Sequence, residues 1–188
     1  MADKVNEKWL GKLLAGDHEA FAEFVDKYKE TVFLCCRLLG LREDEIEDAA
    51  SETFMAAYKG IRQYKGQAEL STWLWTIAYR KAVNYIRKES KVQRISLSGE
   101  DGDMQAADTP SARDFTAEEK EQAKLVWETV RRLPGLWAMA IVLFYREERD
   151  IKEIAKIMRV GTNTVKTYLF RGRKRLKEHL AGVIREDA

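Results

Sequence analysis

The feature that most constrains the fold is a helical apolar period that runs through nearly the whole chain and fails between residues 90 and 116. In residues 21–39, large apolar side chains recur three and four positions apart, which is the spacing of one helix face. The stretch where the period fails is rich in Ser, Gly, Asp and Ala, and a structureless stretch of that length is uncommon inside one compact domain. The sequence therefore predicts an all-α chain of two small helical domains, residues 8–90 and 117–185, joined by a flexible linker at residues 91–116.

Caps and glycines mark the helix boundaries predicted in the first domain. Asp17 precedes one periodic segment and Gly40 follows it, as an N-cap and a C-terminal stop do. A second helix is predicted from Asp44 to Gly60, and a third is predicted to open at Ser71. The expected core positions of the second and third helices are Ile46, Ala49, Ala50, Phe54 and Tyr58, and then Trp73, Leu74, Ile77, Ala78, Val83 and Ile86.

The second domain is predicted to end in a helix-turn-helix. Its first helix opens with a capping box at Thr116 and Glu119. Asp150 and Glu153 form a second capping box before a short helix, residues 160–161 break the pattern, and the next helix carries a buried stripe. Two short helices with a tight turn are the helix-turn-helix motif. Thr162 is predicted to cap the second of these helices, whose stripe is Val165, Leu169, Gly172 and Leu176.

Charge is sorted into blocks along a chain whose net charge is only +2. Residues 42–52 hold six acids and one Arg, whereas residues 79–94 hold six cations and one Glu. Residues 161–177 hold six cations and no acid. Such sorting indicates separate partner surfaces, and the alternative is that each block is a solvated helix face.

The basic second helix of the motif favours duplex DNA as a partner. Such a helix lies in the major groove, where Lys and Arg reach guanine acceptors and Phe touches the thymine methyl group. The alternative is an exposed basic helix without a ligand. The outward residues are Asn163, Thr164, Lys166, Thr167, Phe170, Arg171 and Lys174.

Residues 64–88 interleave aromatic rings with cations, a pattern typical of single-strand binding, in which bases stack on the rings. The alternative is that Trp73 belongs to the core. The polar loop at residues 65–69 is the better place for a splayed base, because Gly66 lets the backbone approach closely.

Other functional classes find little support. Charged residues interrupt every apolar run, so neither a membrane span nor a secretory signal is predicted, and the expected location is cytoplasmic. Cys35 and Cys36 are expected to be buried thiols, since adjacent cysteines rarely form a disulfide. No nucleotide-binding glycine loop, metal cluster or nucleophile arrangement is visible, so no enzyme activity, cofactor, metal or small-molecule substrate is expected.

Four stretches in order resemble a known family. They are GDHEAFAEFVDKYKETVF, EIEDAASETFMAAYKGI, STWLWTIAYRKAVNYIRK and IKEIAKIMRVGTNTVKTYLFRGRKRL. Together they resemble the extracytoplasmic-function sigma factors of the sigma-70 family of bacterial transcription initiation factors, over roughly residues 16–180.

The resemblance implies that this chain has three contact surfaces. One contacts core RNA polymerase, one contacts the −10 element and one contacts the −35 element. The polymerase partners implied are the clamp helices of the largest catalytic subunit and the flap of the second large subunit. An anti-sigma factor, often membrane-anchored, is implied as the regulator. The implied residues are Glu47, Asp48, Ser51, Glu52 and Phe54 for core polymerase; Tyr64, Lys65, Gly66, Gln67, Ala68, Trp73, Arg80, Asn84 and Arg87 for the −10 element; and Thr164, Lys166, Thr167, Phe170, Arg171 and Lys174 for the −35 element.

The chain departs from the family pattern at several of these positions. The family commonly has Gln at Ser51, Asn at Arg80 and Asp at Asn84. In the turn it often has Gly at Arg159, with Pro at Gly161 and Gly at Asn163. The linker acids Glu100, Asp101, Asp103 and Asp108 either mimic nucleic acid in the polymerase RNA path or belong to an idle tether.

Two other functions compete with a sigma factor. A conventional helix-turn-helix regulator with a partner-binding domain would bind duplex DNA alone, usually as a dimer on paired half-sites. A protein-interaction module would show no salt-dependent DNA binding.

Overall fold

The computed structural model describes residues 7–89 and 125–186, and every regular element within those ranges is helical. The all-α prediction is confirmed there. The chain divides into two compact units, so the helices up to Glu89 are described separately from those after residue 124. None of the described helices is long and apolar enough to cross a membrane.

The N-terminal helices begin and end close to the predicted positions. They are α1 (Glu7–Ala15), α2 (His18–Leu38), α3 (Glu43–Gly60), a 3-10 turn (Ile61–Gln63) and α4 (Leu70–Glu89). Asp17 caps α2 as predicted, because its Oδ1 accepts a hydrogen bond from the Ala20 N–H at 2.9 Å. Gly40 has φ +81°, a left-handed conformation that favours glycine after a helix. Helix α1 was not predicted as a separate element.

The N-terminal core lies where α2, α3 and α4 pack on one another, with α1 against α2. Phe24, Ile46 and Leu74 are fully buried there. One predicted core position is wrong: Tyr58 is 36% exposed and Ala57 is buried in its place. The reason is helical phase, since a residue 11 positions after Ile46 returns to the same face and a residue 12 positions after it does not.

Among the described residues, the C-terminal helices are α5 (residues 125–131), α6 (Gly135–Tyr145), α7 (Ile151–Met158) and α8 (Thr162–Glu186). Helix α6 packs along α8. The two backbones approach closely at Gly172, where an added Cβ would lie only 2.9 Å from Cγ1 of Ile141. The predicted buried stripe of α8 is confirmed, with Leu176 half-buried at its end.

The turn of the helix-turn-helix is fixed by local hydrogen bonds. The predicted capping box is present: the Glu153 N–H donates to Asp150 Oδ1 at 2.8 Å, and the Asp150 N–H donates to Glu153 Oε2 at 3.1 Å. Arg159 has φ +54° in the turn. The prediction of Thr162 as the cap is wrong by one position, because the Gly161 carbonyl accepts the N–H groups of residues 164 and 165 and Thr162 is already helical.

Several predictions lie outside the described residues. These are the linker at residues 91–116 with its acids Glu100, Asp101, Asp103 and Asp108, and the capping box of Thr116 and Glu119. The exact domain bounds, residues 8–90 and 117–185, therefore stay predictions.

Candidate nucleic-acid interface

One face of α4 carries four of the nine residues predicted to contact single-stranded DNA, and the other five lie in the loop before it. Trp73, Arg80, Asn84 and Arg87 are spaced by seven, four and three positions, so they lie within about 60° of one another around the helix. Arg80, Asn84 and Arg87 are exposed and Trp73 is half-buried. We call these four residues the α4 stripe. Trp73 thus falls between the two predicted alternatives, with part of its ring in the core and part accessible.

The loop before α4 is exposed, and a hydrogen bond across it fixes its conformation. The Tyr64 hydroxyl donates to the Ala68 carbonyl, and Gly66 has φ +68° at the tip. Burial and the nearby Glu69 carboxylate raise the pKa of Tyr64, so its hydroxyl stays protonated and able to donate. The Tyr64 ring also packs on Trp73, with ring centroids 5.6 Å apart. The predicted loop residues Lys65, Gly66, Gln67 and Ala68 are all exposed beside the α4 stripe.

The interleaved aromatic residues of α4 do not all face solvent. Trp75 is fully buried and Tyr79 is 9% exposed, so neither ring is available to stack on a base. Tyr85 is half-buried, and its hydroxyl donates to Asp48 Oδ2 at 3.4 Å. The expectation that the whole aromatic series binds single-stranded DNA is therefore wrong for these rings, because they lie on the inward and α3-facing sides of α4.

The predicted polymerase-binding residues of α3 occupy different environments. Glu47 and Ser51 are exposed, while Phe54 is half-buried with its ring at right angles to Phe24. Glu52 is engaged by α4: its Oε2 lies 2.9 Å from Lys81 Nζ and its Oε1 lies 3.8 Å from Lys88 Nζ. The hydrogen bond from Lys81 lowers the pKa of Glu52, so this carboxylate stays ionised.

An exposed methionine extends the same surface and was missed from the sequence. Met55 is 59% exposed and follows Ser51 by one helical turn. Glu47, Ser51 and Met55 therefore form a row along α3, since residues four apart share a helix face. The i, i+4 spacing of Met55 from Ser51 could have placed it on this exposed row. An apolar residue next to a buried stripe is normally assigned to the core instead. Methionine on a surface adapts its shape to a partner.

The outward face of α8 carries the predicted duplex-reading residues. Lys166, Thr167, Phe170, Arg171 and Lys174 are exposed, and Thr164 is half-buried. Phe170 is 68% exposed, so its ring is free to contact another molecule. The Thr167 hydroxyl donates to the Asn163 carbonyl at 2.9 Å, which fixes the side chain against its own helix. The arrangement presents cations, hydroxyls and one aromatic ring on one side of the first turns of the helix.

The two cysteines are buried in α2, as predicted. Burial raises the pKa of Cys35 well above its ordinary value and that of Cys36 to about 12, so both are thiols at neutral pH. Among the described residues, no group of three His, Cys, Asp or Glu side chains is placed to hold a metal ion.

Comparison with known sequences matches both units to one family. Residues 24–92 match the family model of sigma-70 region 2, and residues 123–176 match that of sigma-70 region 4. The chain is 32% identical over 181 residues to the ECF RNA polymerase sigma factor SigW of Bacillus subtilis, covering 93% of this chain and 96% of that protein. It is 27% identical over 190 residues to the ECF RNA polymerase sigma-E factor of Haemophilus influenzae, covering 96% and 98%.

Solved structures share the fold. The sigma factor RpoE from Bartonella quintana, solved with the anti-sigma factor NepR, has a TM-score of 0.60 at 21% identity, covering 86% of this chain and 96% of that one. CnrH, solved with the cytosolic domain of CnrY, has a TM-score of 0.59 at 18% identity, covering 93% and 96%.

Proposed function

The chain belongs to the ECF sigma factors of the sigma-70 family, and from that premise we propose how its surfaces divide the work of transcription initiation. The α4 stripe and the loop at residues 64–68 bind the non-template strand of the −10 element as the duplex opens. The outward face of α8 reads the −35 element, and α3 docks on core RNA polymerase. The chain supplies recognition and strand capture, and it carries out no chemical step itself.

The observation that carries this proposal is the closed, exposed loop beside the α4 stripe. A loop that the Tyr64–Ala68 hydrogen bond already holds loses less conformational entropy when a base enters it than a free loop would. Arg80 and Arg87 are exposed further along the same stripe, where two cations can follow a nucleic-acid backbone that leaves the loop. A conventional helix-turn-helix regulator binds only duplex DNA and has no use for a single-strand surface on its N-terminal unit.

The −35 assignment rests on the exposed residues of α8. Lys166 and Arg171 carry donors for guanine, and Phe170 offers an apolar surface for a thymine methyl group. Thr164 lies in the first turn of α8 and carries a hydroxyl donor, so we assign it to the phosphate backbone at the helix N-terminus.

The polymerase assignment rests on the row of Glu47, Ser51 and Met55, with Asp48 and Glu52 beside it. Carboxylates around an exposed apolar side chain suit a basic partner surface with an apolar centre. Ser51 is shorter than the Gln of the family pattern, which leaves Met55 as the largest exposed side chain of the row.

We propose an anti-sigma factor as the regulator, a proposal supported by the solved sigma factor RpoE from Bartonella quintana, which is in complex with the anti-sigma factor NepR. Such a partner inhibits by covering α3 or the DNA-facing surfaces. A cytoplasmic location follows from this function.

The test is run-off transcription from genomic fragments with purified bacterial core polymerase, with and without the protein. We expect discrete transcripts that require the protein, and mapping their start sites gives the two promoter elements. Tight duplex binding by the protein alone, with no new transcripts, would instead establish a conventional helix-turn-helix regulator.

A further inference from the structure

We propose that Trp137 of α6 is a positioning residue for Arg171, holding its guanidinium ready for the −35 element. The Arg171 guanidinium carbon lies 5.9 Å from the centroid of the Trp137 ring, within the range of a cation–π interaction. Both residues belong to the C-terminal unit. The inference rests on the proposed DNA-reading role of α8 and adds a residue that does not touch DNA itself.

The position of the Trp137 ring is fixed by the buried helix α6. Helix α6 is buried along residues 138–143, and Trp137 is half-buried at its first turn. Its Cβ lies 3.7 Å from the point that a Cβ on Gly172 would occupy. The absence of a side chain at Gly172 therefore lets α6 and α8 come close enough for the ring to reach the preceding residue of α8, Arg171.

An aromatic partner suits a base-reading arginine. A guanidinium whose flat face contacts a ring keeps the N–H donors at its edge free. Those in-plane donors form the bidentate hydrogen bonds to guanine O6 and N7. Arg171 is exposed, so its edge is accessible while the ring limits the rotamers of a long, flexible side chain. Tryptophan is the strongest aromatic partner for a cation.

The experiment is a double-mutant cycle in the reconstituted holoenzyme. Transcription from a matched promoter is divided by transcription from one with a scrambled −35 element, for wild type, W137L, W137F, R171A and both double variants. We expect W137L to lower this ratio about two- to fivefold, the range of an exposed cation–π interaction. W137F, which keeps a ring, should lower it less. In the R171A background neither change at Trp137 should lower it further.

The outcomes separate the inference from the function it rests on. If wild type directs no protein-dependent transcripts, the proposed function fails. If wild type is active and W137L keeps the full ratio, the inference is wrong. It is also wrong if W137L lowers the ratio equally with and without Arg171, because that pattern belongs to a residue that only packs α8. Should W137L not fold, the same comparison is made with W137F, whose smaller deficit must vanish in the R171A background.

Discussion

Lys81 of α4 donates a hydrogen bond to Glu52 of α3, with Nζ and Oε2 2.9 Å apart. The two residues are 29 positions apart in the chain, and they join the helix proposed to dock polymerase to the helix proposed to bind DNA. Glu52 therefore has Lys81 and, at 3.8 Å, Lys88 as partners within the protein, and a basic group on the polymerase as its proposed external partner.

Substitution of each partner separates these two roles. We expect E52Q to weaken binding to core polymerase by about 1 kcal/mol, roughly fivefold, the size of one charge-assisted hydrogen bond at a partly exposed site. K81A should leave the affinity within about twofold, since Glu52 remains charged. The measurement is a fluorescence titration of labelled protein with core polymerase. Equal losses in E52Q and K81A would mean that Glu52 acts by holding α4 rather than by touching polymerase.

The ionisation of Glu52 should depend on the same lysine. The Lys81 hydrogen bond lowers the pKa of Glu52 in the folded chain. The pair therefore stabilises the fold above the ordinary glutamate pKa, and this contribution is lost as pH falls through the lowered value. Because Glu52 is partly exposed, the contribution is below about 1 kcal/mol. In K81A we expect an NMR titration of the Glu52 side chain to give a higher pKa than in wild type; an unchanged pKa would contradict the assigned cause.

The α4 stripe predicts a change in salt dependence. Replacing Arg80 and Arg87 together by Ala removes two proposed backbone contacts, and each contact to a single strand contributes about 0.7 to the slope of log affinity against log salt. We expect the slope for open-complex formation, followed by permanganate reactivity of unpaired thymines, to fall by about 1.4. K29A is the matched control, because Lys29 is an exposed helix lysine on α2 that pairs with Asp26 at 3.7 Å. A control that changes the slope as much as the stripe variant would reject the assignment.

Alanine substitution should have opposite effects on stability at two helical glycines, because only one of them lies where α6 and α8 approach closely. G172A should destabilise the C-terminal unit by about 1–3 kcal/mol, because the added methyl group meets Ile141 at 2.9 Å. G11A in α1 is the matched control, since nothing lies within 4 Å of its added Cβ. There alanine should stabilise by up to about 1 kcal/mol through helix propensity. Urea unfolding followed by circular dichroism measures both, and a neutral G172A would show that the helices separate without cost.

The left-handed residue in the turn predicts a stabilising substitution. Arg159 has φ +54°, a conformation that costs about 1 kcal/mol for a residue with a Cβ and little for glycine. R159G should therefore be more stable than R159A by about that amount, while both variants remove the same charge. This comparison isolates backbone conformation from electrostatics. Equal melting temperatures for the two variants would remove the conformational explanation.

Local signals in the sequence predicted the elements well. Asp17, Asp150 and Glu153 make the hydrogen bonds expected of caps, because a cap depends on residues three positions apart. The family preference for glycine at Arg159 also has its physical reason in the positive φ found there. The outward residues of α8 could be predicted because the outward face is set by helical period alone, and their role in reading duplex DNA stays a proposal.

Contacts between helices could not be predicted in the same way. The Glu52–Lys81 and Trp137–Arg171 pairs depend on how two helices are placed, and single-sequence periodicity does not encode that placement. The aromatic pattern of α4 also did not show which tryptophan is buried. Trp73 and Trp75 are two positions apart, so they lie about 160° from each other around the helix. One is half-buried at the proposed DNA surface and the other is fully buried.

The length of the α4 stripe can be compared with the spacing of bases in DNA. The 14 helical steps from Trp73 to Arg87 span about 21 Å. Successive bases in one strand of stacked DNA are about 3.4 Å apart, so the stripe matches about six base steps. In its proposed role, the length of the stripe thereby sets an upper bound on how much parted strand α4 itself can contact at once, whatever sequence that strand carries.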